Sequence, residues 1–89
     1  MSINETHLEK LYKAVLKLKS VDDVKDFLGD LCTQKELFQM AQRLIAAECL
    51  LKGDTYEAVI EKTDISSATL SRVSKCVKNG NGYKKVIKC

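Results

Sequence analysis

The sequence predicts an all-α protein, and three observations carry that prediction. Apolar residues recur three and four positions apart along most of the chain, the spacing that places them on one face of a helix. Small polar residues that favour helix starts precede these runs, and glycines stand at several of their ends. Proline and tryptophan are absent and aromatic residues make up only 6% of the chain, so the core that forms is aliphatic.

The first helix is expected from about Asn4 to Lys19. Leu8, Leu11, Tyr12, Val15, Leu16 and Leu18 recur at helical spacing, and Glu9, Lys10, Lys13 and Lys17 fill much of the opposite face. Ser20 followed three residues later by Asp23 resembles a capping arrangement. Val21, Val24, Phe27 and Leu28 then form a short second helix, expected to stop at Gly29. Thr33 with Glu36 makes a better capping box, opening a third helix from about Gln34 to Lys52.

In that third helix Leu44, Ile45, Ala46, Ala47, Cys49, Leu50 and Leu51 leave Glu48 as the only charge in the run. A helix apolar around most of its circumference must be covered around most of it. An 89-residue chain has little material for this, since a monomer of such size buries only about 60% of the surface its unfolded chain exposes. A second copy packed on the other side is the simplest cover, so a homodimer is expected.

After a stop at Gly53 comes the segment that carries the function. Asp54 or Thr55 caps a short helix in which Ala58 lets a second helix approach closely and Val59 faces the core. Asp64 occupies the turn, being among the few residues besides glycine that tolerate a left-handed backbone. Ile65 plugs the gap between the helices, and Ser66 caps the second one. Leu70 and Val73 point inward there, leaving Ser67, Ala68, Ser71, Arg72 and Lys75 on or beside the outer face. This is a helix-turn-helix, whose second helix suits insertion into a DNA major groove. Serine and threonine can bond base edges or phosphates, Ala68 can meet a thymine methyl, and Arg72 and Lys75 can reach phosphate or guanine. The candidate DNA-contacting residues are therefore Thr55, Tyr56, Ser66, Ser67, Ala68, Thr69, Ser71, Arg72 and Lys75.

Charge distribution agrees with this reading. Up to Asp54 acidic residues outnumber basic ones by one, whereas from Ser66 onward there are Arg72, Lys75, Lys78, Lys84, Lys85 and Lys88 and no acid. A basic terminal third fits contact with phosphates. The chain is read as one domain with three parts: a helical dimerisation part over 1–53, the helix-turn-helix over 54–79, and a C-terminal segment over 80–89. Asn79-Gly80-Asn81-Gly82 forms the turn that ends the recognition helix, and Tyr83 and Val86 anchor the last piece.

Other function classes find little support. Cys32, Cys49, Cys76 and Cys89 lack the spacing of a zinc site, and His7 is the sole histidine, so no metal or cofactor is expected. The acids Asp22, Asp23, Asp26 and Asp30 read as a solvated helix face rather than a metal cluster. Catalysis would need an activated nucleophile, an acid/base pair or a metal, and no such constellation is present. With no secretory leader or membrane span in the pattern, a cytoplasmic protein with reduced cysteines is expected, without a membrane partner.

Nearly the whole chain also resembles the Trp repressor superfamily, and within it the YerC/YecD branch of Trp-repressor-related proteins. The residues that carry the resemblance are Asp30-Leu31-Cys32-Thr33, Gln42-Arg43-Leu44, Gly53-Asp54-Thr55-Tyr56, Ser66-Ser67-Ala68-Thr69-Leu70-Ser71-Arg72-Val73 and Gly82-Tyr83. It implies two chains interlocked through their N-terminal helices, presenting two recognition helices roughly 34 Å apart to a palindromic operator in double-stranded DNA. It further implies an effector pocket, which aligns with Thr33, Arg43 and Arg72. The family's tryptophan-binding member has glycine directly after the second arginine; here Val73 stands there, and its branched side chain argues against tryptophan. A sequence-specific regulator, acting as a repressor, is the function expected. The alternative is a dimerisation or protein-interaction module that uses the same helix-turn-helix structurally.

Overall fold

The computed structural model describes residues 2–87, so Lys88 and Cys89 of the basic terminal third lie outside the described residues. The fold is all-helical: α1 (Glu5–Leu16), α2 (Val21–Leu31), α3 (Gln34–Leu51), α4 (Tyr56–Thr63), α5 (Ser67–Asn79) and α6 (Gly82–Val86). Two compact units divide the chain, one reaching to Gln34 and the other running from Lys35 onward.

In the first unit each helix starts on a side-chain cap. The His7 amide donates to Asn4 Oδ1 at 3.2 Å and the Asn4 amide donates to His7 Nδ1 at 3.3 Å, so the sole histidine completes a capping box. The Asp23 amide donates to Ser20 Oγ at 3.0 Å, as its spacing predicts, while Asp23 Oδ2 accepts from the amide of Lys19 at 3.2 Å. Helix α2 does not stop at Gly29 but runs through it to Leu31, with Cys32 as its C-cap. Glycine ends a helix where the backbone must turn left-handed, and no such turn occurs here. Keeping it inside the helix costs about 1 kcal/mol relative to alanine. Neither α1 nor α2 contains a buried residue in the single chain.

The second unit holds the core: Ala46, Ala47 and Cys49 of α3, Val59 of α4, Ile65 of the turn, Leu70, Val73 and Val77 of α5, and Ile87. Helix α3 ends as its glycine predicts. Gly53 adopts φ +96°, and the Asp54 amide donates to the Cys49 carbonyl at 3.1 Å while that of Gly53 donates to Leu50 at 3.0 Å. These two bonds close a Schellman motif. Gly80 serves close approach instead, because a Cβ there would meet the Cys76 carbonyl oxygen at 2.8 Å. The C-terminal anchor differs from expectation by one residue. Tyr83 packs against the core, but Val86 is 71% exposed and Ile87, at 8%, is the apolar side chain taken in. A five-residue helix has too few turns for its spacing to reveal which residue faces inward.

A clasp joins the α3–α4 connection to α4. Lys62 Nζ lies 2.9 Å from Asp54 Oδ2, and the hydrogen bond from Lys62 holds the Asp54 carboxyl below its ordinary pKa while raising that of Lys62. The clasp therefore stabilises the fold between the two titrations. It is lost as pH falls through the depressed Asp54 pKa, and again as pH rises through the raised Lys62 pKa. The melting temperature of Lys62→Met should fall slightly below wild type at pH 7 and converge on it as pH falls through the Asp54 titration, as a series of thermal melts at decreasing pH would show.

Candidate nucleic-acid interface

Helices α4 and α5 and the turn between them form a helix-turn-helix, and each turn residue has a visible local cause. Thr55 caps α4, accepting from the Ala58 amide at 3.2 Å. Asp64 adopts φ +60°, ψ +17°, and its amide donates to the Ile60 carbonyl at 2.8 Å. Ser66 caps α5, accepting from the Thr69 amide at 3.2 Å, while its hydroxyl donates to Thr69 Oγ1 at 2.9 Å. Ile65 is buried between the helices, as the plug role requires.

Two faces of α5 separate cleanly. Leu70, Val73, Ser74 and Val77 are buried, at the spacing of an inner helical stripe. Ser67, Ala68, Ser71, Arg72 and Lys75 are exposed on the opposite side, and Thr69 is half-buried at the boundary. Thr55 and Tyr56 are exposed at the start of α4, and Ser66 at the start of α5. The structure thus leaves eight of the nine candidate DNA-contacting residues open to solvent and the ninth partly so. No acidic residue lies on α5, and its last turn carries Lys78. Small polar groups near a helix N-terminus followed by bases is the arrangement that reads base edges while anchoring on phosphates. The N-terminal amides of α5 add partial positive charge where a phosphate could sit.

Behind that face lies a recess of about 320 Å³, lined by Arg43, Thr69, Arg72, Val73, Cys76 and Tyr83. It brings Arg43 of α3 and Arg72 of α5 together, as the family resemblance implies. Thr33, the third residue of the expected pocket, belongs to the N-terminal unit, where it immediately precedes α3. Val73 contributes to the recess wall while its side chain is buried in the core. Cys76 and Tyr83 in the lining were not anticipated from sequence. Nor was the bracing of the turn by Thr63, whose hydroxyl donates to the Val59 carbonyl at 2.8 Å and accepts from the Ile65 amide at 3.3 Å. A threonine two residues before a turn amide is the one local signal that could have pointed to it. Glu48, the one charge in the apolar run of α3, lies 3.8 Å from Lys52, one helical turn on.

Among the described residues no helix is long and apolar enough to cross a membrane. Comparison with known proteins agrees with the geometry. The family model described as Trp repressor protein matches residues 6–88. The uncharacterized protein YerC of Bacillus subtilis is 40% identical over 74 residues, which is 83% of this chain and 71% of YerC. The crystal structure of a TrpR-like protein from Eubacterium eligens superposes with a TM-score of 0.84 at 38% identity, over 93% of this chain and 86% of that one. A candidate Trp repressor from Staphylococcus aureus gives a TM-score of 0.86 at 31% identity, over 93% and 84% of the two chains.

Proposed function

The chain belongs to the Trp repressor family, which comprises DNA-binding regulators and not enzymes, and we propose that it is a sequence-specific repressor working as a homodimer on a palindromic operator. The observation that carries this reading is the division of α5 into a buried Leu70–Val73–Val77 stripe and an exposed Ser67–Ser71–Arg72–Lys75 face without acids. Every surface helix turns a polar face to solvent, but small polar residues at the helix N-terminus followed by bases with no acid is the composition of a DNA reader.

The homodimer is supported by what the single chain leaves uncovered. Along α1, Leu8, Tyr12, Val15 and Leu16 stand at i, i+4, i+7 and i+8 and are all exposed, Leu16 at 84%. On α3, Phe38, Leu44 and Ile45 are also exposed. Apolar surface arranged in continuous helical stripes is interface rather than scatter. A second copy supplies matching stripes and pairs the two recognition helices for a two-fold operator.

Val73 keeps tryptophan out of the proposed scheme. Its branched side chain takes up volume at the wall of the recess that Arg43 and Arg72 line, which disfavours an indole there. The test is selection of bound duplexes from a random library, with wild type and Arg72→Ala run in parallel without tryptophan. A palindromic motif should emerge for wild type. Arg72→Ala should bind it roughly tenfold or more weakly, with a salt slope lower by about one per protomer. Failure to enrich any duplex, with or without tryptophan, would overturn the proposal.

A further inference from the structure

Besides the packing of Ile65, a side-chain hydrogen bond ties the turn of the helix-turn-helix to α3. Gln42 Nε2 donates to the backbone carbonyl of Thr63 at 2.8 Å, a part-buried bond between residues 21 apart in sequence. Thr63 is the last residue of α4, and the final carbonyls of a helix have no partner within it. The amide of Gln42 therefore satisfies an acceptor that the α4 ladder leaves open.

The next three residues are the left-handed Asp64, the plug Ile65 and the cap Ser66, which together set the direction in which α5 departs. The Thr63 hydroxyl bonds, to Val59 and from Ile65, hold that turn to α4 itself. They fix the turn internally, and the burial of Ile65 packs it against the core without fixing a direction. The Gln42 bond adds a directional hold, and it departs from the residue next to Arg43 on a helix whose Ala46, Ala47 and Cys49 are locked into the core. An amide is suited to this task, because the acceptor is a neutral carbonyl and a charged donor would carry a desolvation cost in a half-buried position.

We infer that Gln42 is a positioning residue, which sets the pose of the recognition helix by pinning the Thr63 carbonyl to α3. The inference rests on the reading of α5 as a DNA reader, but its structural half can be tested without DNA. Gln42→Met keeps the length and volume of the side chain and removes the donor. Gln42→Glu removes it at neutral pH and regains it when the acid is protonated.

The experiment has two arms on the full-length protein. In the first, NMR measures exchange of the Ile65 amide and residual dipolar couplings of α3 and α5. Gln42→Met should speed that exchange several-fold, on the order of one neutral hydrogen bond, and turn α5 relative to α3. Gln42→Glu should match it at pH 7 and return toward wild type at pH 4. In the second arm, binding is compared between the duplex selected by wild type and a scrambled duplex. The preference for the selected duplex should fall about tenfold, with binding to the scrambled duplex unchanged. A merely structural role would weaken both together. Unchanged exchange and helix orientation in both variants would overturn the inference. If wild type selects no duplex, the DNA-binding reading has failed and the first arm alone decides the role of Gln42.

Discussion

Replacing Leu70 by alanine should destabilise the protein by about 2–5 kcal/mol, the range for a fully buried leucine whose surroundings cannot collapse into the space left behind. Leu70 is completely buried, one turn into the recognition helix, in the core that also takes in Val59, Ile65 and Val73. All three neighbours are β-branched and stiff at χ1, so they have little freedom to swing into a cavity. For a domain of this size the loss corresponds to a drop in melting temperature of roughly 10 °C or more. Calorimetry at fixed protomer concentration would measure it. Ser71→Ala, next along the helix but exposed, should stay within about 0.5 kcal/mol of wild type. If Leu70→Ala melts within 2–3 °C of wild type, the packing that presents the outer face of α5 is not as described.

The contrast between those adjacent residues shows why much of this site was legible from sequence. Thr55, Asp64 and Ser66 each serve a purely local need: a hydroxyl for an orphan amide, or a short polar side chain that tolerates a left-handed backbone. Leu70 and Val73 follow from helical period alone. Gly29 shows the limit of such rules, because glycine marks a helix end only where the chain must turn, and that depends on what comes next. The Gln42–Thr63 bond, the Asp54–Lys62 clasp and the part played by Tyr83 and Cys76 in the recess depend on how helices pack. No spacing along the chain encodes them. Gln42 was visible only as part of a family pattern, with no hint of the carbonyl it serves.

Introducing charge on α1 should have the largest effect on DNA binding, although α1 lies far along the chain from α5. Tyr12 and Val15 are 59% and 46% exposed in the single chain, so a monomer would accept Tyr12→Glu with Val15→Glu at little cost. In the proposed dimer both positions lie on the stripe covered by the second copy, where an unpaired carboxylate must be desolvated. Two such groups per protomer, four per interface, should raise the dimer dissociation constant at least a hundredfold. Sedimentation equilibrium at micromolar concentration should then find a monomer. Once the two recognition helices are no longer linked, affinity for a full palindrome should fall by about 10²–10⁴, the advantage that linkage confers, while affinity for a single half-site should barely change. Lys10→Glu, on the polar face of α1, provides the control and should leave both measurements close to wild type. A double variant that remains dimeric and keeps its preference for the full palindrome would remove the α1 stripe from the interface and require another surface to join the two copies.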